Sequence, residues 1–129
     1  MPLTIESCNH IALRTKRLDE SLRFYVEVLG AKPISRPGFS FRGAWLFVGG
    51  IQIHLIEDPA AGDPADEIDT RANHVAFAVP DVDEAERRLR ELGVAYKRNL
   101  IPDRGVHQLF FHDPDGHMIE AGQYGRIDE

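Results

Sequence analysis

The sequence predicts an α+β fold made of two βαβββ modules, each a half-open mixed sheet, facing one cleft. Three observations carry this. First, the chain repeats itself once: Asn73-His74-Val75-Ala76-Phe77 echoes Asn9-His10-Ile11-Ala12-Leu13, Val82-Asp83-Glu84 echoes Leu18-Asp19-Glu20, and Leu92-Gly93 echoes Leu29-Gly30. His10 and His74 are 64 positions apart, as are Asp19 and Asp83. Second, the hydrophobic period alternates between strand-like and helix-like within each repeat. Third, turn-forming residues separate the strand-like runs. A single duplication is too short for a stacked solenoid, which needs about three units. Two sheets packed around a shared cleft are the expected outcome.

Taken in order, module one covers residues 5–57. Asn9 to Leu13 reads as a strand, and Leu18 to Leu29 as a helix with Leu18, Leu22, Tyr25, Val26 and Leu29 on one face, stopped by Gly30. Lys32 to Arg36, Phe41 to Val48 and Gln52 to Glu57 supply three strands, with Gly49-Gly50 as a hairpin turn. Residues 58–70, rich in Asp, Pro, Ala and Gly, form a linker. Module two covers residues 71–124, with strands expected at Ala95 to Leu100, Val106 to His112 and His117 to Gly122. Asp113-Pro114-Asp115-Gly116 is a tight turn: proline presets φ, and glycine accepts a conformation that a side chain resists. The whole chain, 1–129, is read as one domain.

Length and composition narrow the function classes. The chain has 129 residues, 43% of them hydrophobic, enough to bury a core. Its formal charge of −6 is spread without a basic stripe, which excludes a nucleic-acid partner. No apolar run reaches the roughly 18 residues of a membrane span, and the N-terminus lacks the pattern of a signal peptide. A soluble cytoplasmic protein is expected. Cys8 is alone, so it forms no internal disulfide; a small buried residue is its simplest role.

Glu120 is the residue that asks for an explanation. It lies among Met118, Ile119 and Ala121, and a carboxylate in an apolar strand is costly unless paired or bound to a cation. Strand residues alternate faces. Ile11 and Leu13, like Val75 and Phe77, are the bulky core set, so His10, Ala12 and Arg14, and His74, Ala76 and Ala78, look into the cleft. In the fourth strand of module one, His54 lies opposite in parity to Ile53 and Leu55. His54 is the counterpart of Glu120, at an offset of 66. Each module therefore offers two ligand-type residues on matching strands: His10 and His54, then His74 and Glu120. A lone strand histidine is usually structural, but a matched set of three imidazoles and a carboxylate suits a divalent Zn, Ni, Fe or Mn ion. With no cysteine ligand, the site is expected to be open to water or substrate. His107 is ambiguous in facing; if it points out, Gln108 and Phe110 line the cleft. The alternating charges of Asp83 to Glu91 read as a solvated helix face, and His112 and His117 as solvated turn residues.

These residues resemble the vicinal oxygen chelate superfamily, which includes the glyoxalase, bleomycin-resistance and extradiol-dioxygenase proteins. The paired Asn-His-hydrophobic-Ala strands carry the resemblance, with Phe24-Tyr25 and Val28-Leu29-Gly30 in the first helix. Phe110-Phe111-His112-Asp113-Pro114-Asp115-Gly116 leading to Glu120 completes it. It spans roughly residues 5 to 124 and implies paired βαβββ modules, usually in a dimer, with the metal held by His10, His54, His74 and Glu120. His10-Ile11-Ala12-Leu13-Arg14 is most similar to glyoxalase I-like proteins, in which the arginine contacts the glutathione carboxylate; the resemblance assigns that role to Arg14 and the general-base role to Glu120. One departure is plain. Glyoxalase I carries a glutamate where this chain has His54, so the site is one charge more positive and lacks the second carboxylate of a proton-shuttling pair.

Three activities follow as expectations. The first is a metal-dependent lyase or isomerase of glyoxalase type, acting on a small oxygen-chelating substrate with glutathione as a possible cosubstrate. The second is a mononuclear iron dioxygenase, which two histidines and a carboxylate suit better than three histidines do. The third is a resistance protein that binds a small molecule between Phe39, Phe41, Trp45 and Phe47. A homodimer is expected, because half-open sheets leave apolar faces and strand edges exposed. The linker is long enough for sites within one chain or shared between two.

Overall fold

A computed structural model describes residues 1–125. The order is β1 (His10–Thr15), α1 (Leu18–Glu27), β2 (Lys32–Ile34), β3 (Gly43–Val48), β4 (Ile51–Glu57), then β5 (His74–Ala78), α2 (Val82–Glu91), β6 (Tyr96–Ile101), β7 (Val106–His112) and β8 (Met118–Gln123). Each module is one four-stranded sheet, ordered β1-β4-β3-β2 and β5-β8-β7-β6. The first strand of each runs parallel to the fourth, and the remaining pairs are antiparallel. The two βαβββ modules are as the repeat predicts. Some ends differ. α1 stops at Glu27 rather than Leu29, β2 stops at Ile34, and β3 begins at Gly43 rather than Phe41. Pro37 and Gly38 lie between these two strands and break the run.

Local chemistry explains the elements. Asp81 caps α2, its side chain accepting from the Asp83 and Glu84 backbone N–H groups at 3.0 and 3.2 Å. In the turn before β8, the Asp113 carbonyl accepts from Gly116 N–H at 3.0 Å. Gly116 has φ +90°, and a Cβ there would come within 2.6 Å of the Asp63 carbonyl oxygen, so only glycine fits.

The apolar faces decide the packing. Leu46, Ile53 and Leu55 of the first sheet and Leu109, Phe111 and Ile119 of the second are essentially inaccessible, and they belong to one continuous core with Leu18, Tyr25, Val82 and Leu89 of the helices. The two modules of a chain thus meet through their helix-bearing faces. The linker length allows closure within one chain or between two; in this chain the faces that bear His10 and His74 are not the ones buried together. The reason is energetic. The helix-bearing faces hold the bulky aliphatic residues, whose burial gives about 25 cal/mol per Å², whereas the opposite faces are interrupted by histidine, arginine and glutamine.

Polar contacts fasten the same junction. The Tyr25 hydroxyl donates to Asp113 Oδ2 at 2.7 Å, and Arg17 Nη1 donates to Asp115 Oδ1 at 3.0 Å. Lys16 Nζ pairs with Asp63 of the linker at 2.8 Å, and Arg17 pairs with the same carboxylate. These two bonds, Lys16's first, hold the Asp63 carboxyl below the usual carboxylate range. His117 Nε2 donates to the Arg14 carbonyl at 2.8 Å, so this histidine bridges modules instead of being a merely solvated turn residue. Cys8 is exposed, contrary to the expectation of a buried thiol. No helix among the described residues is long and apolar enough to cross a membrane.

Candidate metal centre

Strand register brings the predicted residues together in pairs. β1 and β4 place Ala12 beside His54 and His10 beside Gln52, so His10 and His54 share a face. Their rings stack with centroids 3.9 Å apart, and Trp45 stacks on His54 at the same spacing. Phe39, 6.1 Å from Trp45, extends this strip to Phe41, and Arg36 lies over both phenyl rings. Phe39, Phe41 and Phe47 remain more than two-fifths exposed. Burial first, and the neighbouring His10 second, hold the His54 pKa below its ordinary value. A neutral imidazole keeps a lone pair for a metal.

In module two, β5 and β8 pair Ala76 with Glu120 and His74 with Met118. Glu120 is 3% exposed. His74 Nε2 lies 3.1 Å from Glu120 Oε1, and the Tyr124 hydroxyl donates to Glu120 Oε2. His74 Nδ1 donates to the Ala72 carbonyl at 2.7 Å. A neutral His74 therefore turns its Nε2 lone pair toward a carboxylate oxygen, leaving two acceptors face to face. Such a pair is satisfied by a shared proton or by a cation. His10 is oriented in the same way, with Nδ1 donating to Asn9 Oδ1 at 2.8 Å. His54 Nε2 is 2.8 Å from Gln52 Oε1. Tying one ring nitrogen to a protein oxygen frees the other for a metal, the usual support of a ligating histidine. The donor set, imidazoles with one carboxylate, fits a divalent first-row ion.

The two pairs do not meet within the chain. Among the described residues no three His, Cys, Asp or Glu side chains converge as a metal site. The structure brings His10 to His54 and His74 to Glu120, and it keeps the pairs apart.

The remaining predicted residues are placed as follows. β7 pairs Phe110 with Glu120 and Gln108 with Gly122, so both lie on the Glu120 face. Phe110 is buried, edge-on to His74 with centroids 5.5 Å apart, and Gln108 accepts from Asn99 Nδ2 at 2.8 Å. His107 is on the opposite face, beside Arg98 Nε at 3.3 Å, which resolves its facing. Arg14 lies on the His10 face, 3.4 Å from Asp58, with 70% of its side chain exposed. Sequence reasoning missed Tyr124 and Gln52. Gln52 shares strand parity with His54 and could have been found that way. Tyr124 follows the last strand, and its contact with Glu120 depends on how the chain turns there.

Comparison with known proteins identifies the family. The family model for the Glyoxalase/Bleomycin resistance protein/Dioxygenase superfamily matches residues 7–121. The chain is 43% identical over 124 residues to Glyoxylase I 4 of Arabidopsis thaliana, covering 92% of this chain and 71% of that one. It is 28% identical over 145 residues to a lactoylglutathione lyase of Pseudomonas putida, covering 89% and 83%. The fold superposes with a TM-score of 0.79 on the fosfomycin resistance protein FosX of Listeria monocytogenes, solved as a variant with Mn(II) and 1S,2S-dihydroxypropylphosphonic acid, at 22% identity and 95% coverage of each chain. The family model spans most of the chain and the topology is two βαβββ modules: the chain belongs to the glyoxalase/bleomycin resistance/dioxygenase superfamily.

Proposed function

We propose that the protein is a cytoplasmic, metal-dependent lyase or isomerase of glyoxalase type, acting on a small substrate with two adjacent oxygens, of which a glutathione hemithioacetal is the first candidate. The observation that carries this reading is the facing pair of His74 Nε2 and Glu120 Oε1 at 3.1 Å, with His74 Nδ1 already committed to Ala72. His10, His54, His74 and Glu120 would hold the metal. When bound, a divalent ion supplies Lewis acidity to vicinal substrate oxygens. Glu120 is the only carboxylate of the set. It would accept the proton from the carbon beside the substrate carbonyl and return it to the neighbouring carbon. Phe110 and Gln108 would line the site, with Phe110 excluding water beside His74. Arg14, mostly exposed on the His10 face, would hold a carboxylate at the substrate's remote end. The relatives named as lactoylglutathione lyase and Glyoxylase I support this chemistry.

The site would be completed in a homodimer. Each chain has His10 with His54 in one module and His74 with Glu120 in the other, while its own core occupies the helix-bearing faces. A second copy is the economical source of the missing half, as two-fold symmetry then completes two sites at once. The test mixes two inactive variants, His10→Ala and Glu120→Ala, under conditions of subunit exchange. In the mixed dimer one site carries both lesions and the other is intact, so partial recovery of activity is expected. No recovery after proven exchange would refute sharing. Elemental analysis of protein purified without chelators, followed by an ultraviolet assay with methylglyoxal hemithioacetal, tests the activity itself. Iron together with oxygen consumption would point instead to a dioxygenase. Absence of metal would favour a binding protein that uses the Trp45 and Phe39 strip.

A further inference from the structure

Glu120 has two oxygens, and the structure treats them differently. Oε1 faces His74 Nε2. Oε2 accepts from the Tyr124 hydroxyl. We infer that Tyr124 is a positioning residue that holds Oε2 back, so that Glu120 presents one oxygen, Oε1, beside His74 and reaches a metal through that oxygen alone. This rests on the metal-dependent reading above and specifies how its carboxylate is used.

The seat for Tyr124 is built into the strand end. Its ring lies directly over Gly122, where a Cβ would come within 2.6 Å of the ring and hydroxyl atoms. Gly122 has no positive φ, so its need for glycine is the tyrosine ring and not the backbone. The chain leading into Tyr124 is pinned. The Gly122 carbonyl accepts from Val79 N–H at 2.8 Å, and Gln123 Oε1 accepts from Val82 N–H at 3.1 Å, in the first turn of α2. These bonds fix the end of β8, from which Tyr124 folds back over Gly122 to Glu120, four residues earlier. A phenol keeps its proton at neutral pH and donates it to a carboxylate.

A carboxylate with both oxygens free can grip an ion through two atoms; one with an oxygen hydrogen-bonded elsewhere grips through one and keeps a defined direction. Tyr124→Phe retains the ring and removes only the donor. The full chain is titrated with Ni²⁺ alone by calorimetry and with Co²⁺ alone by visible absorption, which reports coordination number. The expected result for Tyr124→Phe is a changed Co²⁺ band and a Ni²⁺ affinity altered by roughly tenfold, the usual size for a residue that supports a ligand. Gly122→Ala, which pushes the ring off its seat, should change the same band. Combining it with Tyr124→Phe should add little, because both act on one hydrogen bond. If Tyr124→Phe shifts only the melting temperature and leaves the Co²⁺ band and the Ni²⁺ affinity unchanged, the tyrosine is structural and the inference fails. If the parent protein binds neither ion, the metal-dependent reading itself fails, and that outcome is distinct.

Discussion

Replacing Tyr25 with phenylalanine tests the junction on which the arrangement of half-sites depends. Tyr25 is 1% exposed and Asp113 2% exposed, and their side chains are 2.7 Å apart across the two modules. Phenylalanine preserves the ring and its contacts with Phe24, so the change isolates the hydroxyl. Asp113 Oδ1 keeps its bonds from the Asp115 and His117 backbone N–H groups, each 2.9 Å, but Oδ2 is left without its donor. A buried hydrogen bond to a charged group contributes about 1.5–3 kcal/mol. A loss near 2 kcal/mol at pH 7 corresponds to a fall in Tm of roughly 8 °C for a domain of this size. The pH dependence has a definite sign. Burial holds the Asp113 pKa above its ordinary value, and the Tyr25 bond opposes that shift. Removing the hydroxyl raises the folded-state pKa further, so the folded variant binds more protons than the parent does. Its deficit is full where Asp113 is ionised and shrinks as pH falls through the variant's folded pKa. Urea unfolding at pH 7 and in acid, at fixed protomer concentration, measures both. A deficit below about 0.5 kcal/mol at neutral pH, or one that grows on acidification, would refute the account of this bond.

Three further outcomes are expected. Glu120→Gln should lower turnover about 10²–10⁴-fold and metal affinity far less, because an amide offers an oxygen but accepts no proton; full activity would remove Glu120 from the general-base role. Arg14→Ala should raise KM for an anionic hemithioacetal and leave metal content and kcat unchanged, and its lost pairing with Asp58, 3.4 Å apart and exposed, should cost only about 0–1 kcal/mol; unchanged kinetics across several anionic substrates would make it a surface ion pair. Gly116→Ala should destabilise the fold by about 1–3 kcal/mol, since the residue combines φ +90° with a Cβ position 2.6 Å from the Asp63 carbonyl oxygen, and a thermal melt reads this directly.

Much of the molecule was legible in the residues. The repeated Asn-His-hydrophobic-Ala strands, the helical period from Leu18 and the Gly49-Gly50 and Asp113-to-Gly116 turns are local signals, and local signals suffice for strands, helices and turns. Strand parity then places His10 with His54 and His74 with Glu120, because the side-chain period of a strand is two and the duplication supplies the partner strand. Tertiary structure decided the rest. Which faces of the modules meet depends on the sum of burial over both sheets and on contacts such as Tyr25 with Asp113, 88 residues apart, which no local pattern encodes. That sum buries the aliphatic faces and leaves the histidine faces apart, so the four ligand-type residues form two pairs rather than one centre. The facing of His107 waited on the length of the turn before β8. Tyr124 waited on the path of the chain past Gly122, a matter of three-dimensional reach that sequence spacing does not express.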